Sequence, residues 1–184
     1  LLTAQAMAVT PAVERLYAAG KASLEASEPA VALAHFKDAL RQAEGDDRWT
    51  WRLLLAVALT YKVKEEPQHA IEYFRRFLAR TEAHRSSMRI KWQKRRQITE
   101  RELVTLETEV EGTHGFVPVE STPTGAEISV DGSRAGADGD ATTPFMLILK
   151  PGAHLVRITM DGHVTAEEKV TVRVGDSQPM RLIL

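Results

Sequence analysis

Glycine splits this chain in two. Residues 1–111 contain only Gly20 and Gly45, three prolines and nine of the eleven aromatics, whereas the stretch from Gly112 to Leu184 holds nine glycines, five prolines and only Phe116 and Phe145 as aromatics. The first composition sustains helices; the second, with Val, Ile and Thr in short runs, suits strands and turns. The reading is therefore α plus β in two domains: helices over 1–111, a linker at 112–115 and a small sheet domain over 116–184. Sequence length allows a real core in each part. The net charge of −1 marks no bulk preference for acidic or basic partners, and the absence of cysteine excludes disulfides and thiolate chemistry. No apolar run is long enough to span a bilayer.

Within the first half, Thr10-Pro11 predicts a helix start, and Ser27-Glu28-Pro29, Gly45-Asp46-Asp47 and Pro67 break the apolar periodicity into antiparallel hairpins. Val31, Phe36, Leu40 and Ala43 are expected as the buried stripe of the second helix, and Ile71, Phe74, Phe77 and Leu78 as that of the fourth. Leu16, Gly20, Ala32, Phe36 and Ala39 recur, with the same mutual spacing, as Leu54, Ala58, Ala70, Phe74 and Phe77. This pattern resembles the tetratricopeptide repeat, lengthened in the loop around Gly45. Small residues at the crossing points would let the helices approach, with a phenylalanine filling the space beside them. A long helix over 86–111 would cap the two repeats, burying Met88, Trp92, Thr99, Leu103, Leu106 and Val110, with Arg95 or Arg96 interrupting the stripe.

From residue 115 onward, apolar alternation is punctuated at regular intervals by Asp131-Gly132, Pro151-Gly152, Asp161-Gly162 and Gly175-Asp176, which predicts a compact antiparallel β-sandwich. Ser121, Pro123-Thr124-Gly125-Ala126, Val130-Asp131-Gly132, Gly136, Thr143-Pro144, Pro151-Gly152, His154, Gly162 and Leu182 together resemble the PEGA domain. Departures are Thr124 in place of the family's glutamate, His163 in place of an aromatic, and a longer loop at 136–142. The resemblance implies an immunoglobulin-like module of bacterial envelope proteins, often beside tetratricopeptide repeats, with adhesion or binding roles and no established catalytic residues.

No catalytic group, metal site or cofactor site is expected. Asp138-Gly139-Asp140 opens like a calcium loop, yet Leu149 stands where a bidentate carboxylate belongs. The six histidines lack ligand spacing, and no phosphate-binding glycine loop or nucleophile elbow occurs. Binding is the expected role. The repeat positions predict a partner groove of Glu14, Tyr17, Lys21 and Leu24 from the first hairpin and Arg52, Leu55, Leu59 and Lys62 from the second. That mixed, partly apolar groove suits an amphipathic helix or extended protein segment.

The alternative is electrostatic. Ten basic residues face Glu82 and Glu100 over 75–101, and Arg85, Arg89, Lys91, Lys94, Arg95, Arg96 and Arg101 form its patch. These cations crowd the start of the long helix, where the dipole disfavours them. An acidic protein, an anionic polymer or a lipid surface would suit the patch, and so would plain solvent. Nucleic acid is disfavoured because no reader motif accompanies the charge. Leu1-Leu2 followed by Ala4-Gln5-Ala6 and Ala6-Met7-Ala8 reads as a signal-peptide remnant over 1–8, giving a periplasmic or envelope location, with cytoplasm as the alternative.

Overall fold

The structure, a computed structural model, describes residues 4–43 and 45–184, with side chains from Pro11 onward. Five helices precede seven strands: α1 (Ala4–Glu25), α2 (Pro29–Gln42), α3 (Asp47–Val63), α4 (Pro67–Glu82), α5 (Ile90–Glu111), β1 (Gly115–Thr122), β2 (Glu127–Val130), β3 (Ser133–Arg134), β4 (Phe145–Leu149), β5 (Gly152–Thr159), β6 (Ala166–Val172) and β7 (Met180–Ile183). Contacts divide the chain into two compact units, Leu1–Val104 and Thr105–Leu184, so the dividing line falls inside α5. No described helix is long and apolar enough to cross a membrane.

In the helical unit α1 packs on α2 and α3 on α4, each pair joined by a short turn, which makes both pairs antiparallel hairpins. The two turns have the same construction. Ser27 and Glu65 adopt left-handed φ of 61° and 58°. Glu28 N donates to Ser23 O and Ser27 N to Leu24 O; Glu66 N donates to Tyr61 O and Glu65 N to Lys62 O. These are paired Schellman closures, and each hands over to a helix with proline at its first turn, Pro29 and Pro67. The hairpins close on small residues as expected. A Cβ on Gly20 would lie 2.5 Å from the Phe36 ring. Ala58, Ala70, Phe74 and Phe77 are buried at the matching positions of the second hairpin.

Several local expectations are corrected. Helix α1 starts at Ala4, with Pro11 inside it, because the alanine-rich run before Thr10 is strongly helix-forming and proline removes only one hydrogen bond. Of the 1–8 signal-peptide expectation, residues 1–3 lie outside the described residues. Val31 is exposed, since the buried face of α2 is Ala32, Leu33, Phe36 and Ala39, one position further round the helix. Helix α3 begins at the Asp46 cap, whose carboxylate accepts from Trp49 N at 3.1 Å. Helix α5 begins at Ile90 rather than 86, because residues 84–88 form a separate turn closed by Met88 N to His84 O.

The second unit is a two-sheet sandwich. One sheet has the order β4-β1-β7 and the other β3-β2-β5-β6. All strand pairings are antiparallel except β1 with β7, a correction to the expected antiparallel sandwich. The chain leaves β6 in the second sheet and returns through residues 173–179 to run alongside β1. Val174 is exposed because β6 stops at Val172, before the Gly175 turn. Val117, Val119, Ile128, Leu147, Val156, Ile158, Val170, Val172 and Met180 form the core between the sheets. The Asp131-Gly132 turn joins β2 to β3 with φ of 52° and 83°, the left-handed pair that a two-residue hairpin requires.

Candidate functional site

The exposed residues of α1 and α3, Glu14, Lys21, Leu59 and Val63, define the open face of the helical unit. Tyr17 of α1 stacks at 5.6 Å on Phe36 and 5.5 Å on Trp49, and the Arg52 guanidinium lies 4.7 Å from the Trp49 ring and 5.6 Å from Tyr17. Tyr17 and Arg52 therefore join the two hairpins as well as lining the expected groove. Glu14 and Lys21 are exposed and Leu24 half-buried beside them. Along α3, exposure rises toward the C-terminal end, from 9% at Leu55 to 46% at Leu59 and 63% at Val63. Leu55 is thus part of the packing, while Leu59 and Val63 are the apolar groups that solvent reaches. Val63 was absent from the expected groove although it follows Leu59 by one helical turn.

Lys62, a groove position, forms an ion pair with Glu102 of α5. A second contact joins the same helices, Trp51 edge-on to Trp92 at 5.5 Å. Moving from the Trp51–Trp92 contact to the Lys62–Glu102 pair advances both helices toward their C-termini by nearly the same distance, so the two run side by side in the same direction. Trp92 also meets Phe77 at 6.4 Å and is half-buried.

Among the expected basic patch, Arg85, Arg89, Lys91, Lys94, Arg95 and Arg101 are exposed. Arg96 is the correction. Only 8% exposed, it turns into the unit and donates through Nη1 to Leu78 O and Thr81 Oγ1, both at 2.6 Å. Nη2 pairs with Glu82, and Nε lies 3.2 Å from Glu100 without hydrogen-bond alignment. A cation is favoured there because the C-terminal end of α4 presents it with the Leu78 carbonyl, the Thr81 hydroxyl and the Glu82 carboxylate. A cavity of about 160 Å³ opens beside it, lined by Arg85, Met88, Gln93, Arg96, Gln97 and Glu100. Among the described residues no ion pair reaches Arg89, Lys91, Lys94 or Arg95, while Arg85 pairs loosely with Glu82 at 3.6 Å.

In the sandwich, the residues that carry the family resemblance are occupied in holding the fold. Buried Thr143 Oγ1 accepts from Gly125 N and Ala126 N, each at 3.1 Å, and bonds Ser121, whose hydroxyl also reaches Pro123 O. Asp131 accepts from Leu155 N at 2.9 Å and from His154 Nδ1 at 2.7 Å, while His154 Nε2 lies 2.9 Å from Lys150 O. Both ring nitrogens face acceptors, so the doubly protonated ring alone satisfies both. Burial pulls the His154 pKa down, but the bonds to Asp131 and Lys150 together with the Asp131 charge leave it raised above 6.5. Asp131 is lowered by the Leu155 amide first and by His154 second. Buried His114, at the turn between α5 and β1, moves the other way: desolvation and then Lys150 lower it. The Asp138-Gly139-Asp140 turn sits in a loop tied by Ala141 N to Ala135 O and Ile128 N to Ala141 O. Thr124 and His163, the two single-residue departures from the family pattern, are exposed.

Among curated proteins, none matches the chain. The family model of the PEGA domain matches residues 114–183, so the chain carries a PEGA domain behind a region of five helices.

Proposed function

We propose that the protein is a non-enzymatic interaction adaptor of the bacterial cell envelope, in which the open face of the helical unit binds a protein segment and the PEGA domain positions it or contacts another envelope component. PEGA domains occur in extracellular or envelope proteins, which supports the location. Two features support reading the helices as tetratricopeptide-like: the small and large positions that match between the two hairpins, and the twin Schellman turns before Pro29 and Pro67. The observation that carries the binding reading is the pair Leu59 and Val63. Both stand exposed on the open face of α3, where they contribute little to the core. Fold alone would not assign this role. The test is the double variant Leu59→Glu, Val63→Glu. Its tryptophan-monitored melting should match the parent protein, and it should lose the partner that the parent co-purifies from envelope extracts; retention of that partner would place the groove elsewhere.

A further inference from the structure

Resting on that groove, we infer that its ligand is an acidic amphipathic protein segment, held by Lys91, Lys94 and Arg95 and by the exposed Ile98 that follows them on the flank of α5 that meets α3. The geometry starts from the Lys62–Glu102 pair, which brings this flank against the open face. Lys91, Arg95, Ile98 and Glu102 follow one another at i+4, i+3 and i+4 steps, a single stripe on the helix surface. Parallel alignment of α3 and α5, fixed by Trp51–Trp92 and Lys62–Glu102, sets Leu59 level with Thr99, one residue beyond Ile98. The result is a strip about 16 Å long, three helical turns, with aliphatic groups at one end and cations at the other.

Charge selects the occupant. Glu102, the acidic member of the stripe, is already matched by Lys62, while among the described residues no acidic side chain meets Lys91, Lys94 or Arg95. They stand in the first two turns of α5, where the helix contributes its own partial positive charge, so they gain nothing from the fold and jointly attract an anion. Ile98 is 56% exposed one turn beyond this cluster, so the ligand must present an apolar side chain next to its carboxylates. A lipid surface fits less well. Interfacial helices insert larger apolar and aromatic area, and the Trp92 ring is engaged with Trp51 and Phe77.

The experiment is selection of random peptides of about fifteen residues on the full-length chain. Enriched peptides should be net acidic with aliphatic residues at i, i+3 or i+4, and i+7, and binding should fall about tenfold in the triple variant Lys91→Gln, Lys94→Gln, Arg95→Gln. Circular dichroism of that variant should be unchanged, since all three side chains are exposed. Neutral or basic winners that still need Leu59 would overturn the acidic assignment while leaving the groove intact. Acidic winners indifferent to Leu59→Glu would overturn the groove instead. Enrichment of nothing would overturn both. If phosphatidylglycerol vesicles alone bound, dependent on the three cations, the ligand would be a lipid surface and the inference would fall.

Discussion

The helical unit and the sandwich spend their distinctive residues differently. In the sandwich the recognisable positions, Ser121, Gly125, Ala126, Asp131, Thr143 and His154, are bonded to one another or to the backbone, and they account for the scaffold. In the helical unit the repeated positions are small or apolar and buried, and several of the polar and aliphatic residues between them are unclaimed by the fold. Recognisable sequence positions therefore mark structure in both halves, and they point to function only by subtraction. Leu59, Val63, Ile98, Lys91, Lys94 and Arg95 stand out because the packing does not need them.

Arg96 breaks that division most sharply, being a charged residue that the helical unit uses as the sandwich uses Thr143. Replacing it by Met keeps an unbranched aliphatic stem but removes the donors to the Leu78 carbonyl and Thr81 Oγ1 and the partner of Glu82 and Glu100, two carboxylates that solvent still reaches. Losing the charge-assisted bonds to Leu78 and Thr81 should destabilise the helical unit by about 2–3 kcal/mol. If Arg96 served chiefly as apolar cover for α4, Met would serve as well, and the loss would stay under about 1 kcal/mol. Denaturant unfolding followed by tryptophan fluorescence separates the two cases. All three tryptophans and all three tyrosines precede residue 105, so this signal reports the helical unit and not the sandwich.

Gly20 tests the opposite principle, packing through absence of a side chain. Helix propensity alone says Gly20→Ala should stabilise by about 1 kcal/mol. The structure says otherwise, because the new methyl would overlap the ring of Phe36, which is only 1% exposed and has no room to retreat. We expect a net loss of about 2 kcal/mol by the same fluorescence measurement. A gain would mean that the hairpin is looser than its small-to-large packing implies.

How far the sequence foretold these contacts depends on their range. The hairpins, the small-residue crossings and the strands other than the two-residue β3 follow from local periodicity, because alternation and helical spacing act within one element. The left-handed caps at Ser27 and Glu65 were signalled only as breaks before proline, since neither residue is the glycine that usually occupies that conformation. Lys62 and Glu102 stand on helices far apart in the chain, and Arg96 reaches back across a turn to Leu78. No local pattern encodes such pairs, so the sequence offers Arg95 or Arg96 alike as an interruption of the buried stripe, counts both in the basic patch, and presents Lys62 as an open groove residue. The parallel β1–β7 pairing escaped for the same reason: alternation fixes which face a residue takes and leaves strand direction open. The line between units fell inside α5, where continuous helical periodicity gives no sign of a change.

The smallest expected effect lies on the sandwich side and concerns pH. His154 has its folded pKa raised above 6.5, so its bonds to Asp131 and Lys150 contribute fully below pH 6.5 and that contribution is lost as pH rises through the folded value. His114 has the opposite sign, its pKa being lowered, so its contribution is present above pH 6.5 and lost as pH falls toward the folded value. The two act on opposite sides of pH 6.5, so the stability of the sandwich should pass through a maximum there. His154→Gln should remove the falling limb: the sandwich would become steadily more stable from acidic to neutral pH, with little further change above it. The readout is the denaturant midpoint of core methyl resonances from Ile128 and Val170 across roughly pH 5 to 8. A His154→Gln profile parallel to that of the parent would show that the His154–Asp131 contact is a surface pairing with no energetic part in joining the β2–β3 turn to β5.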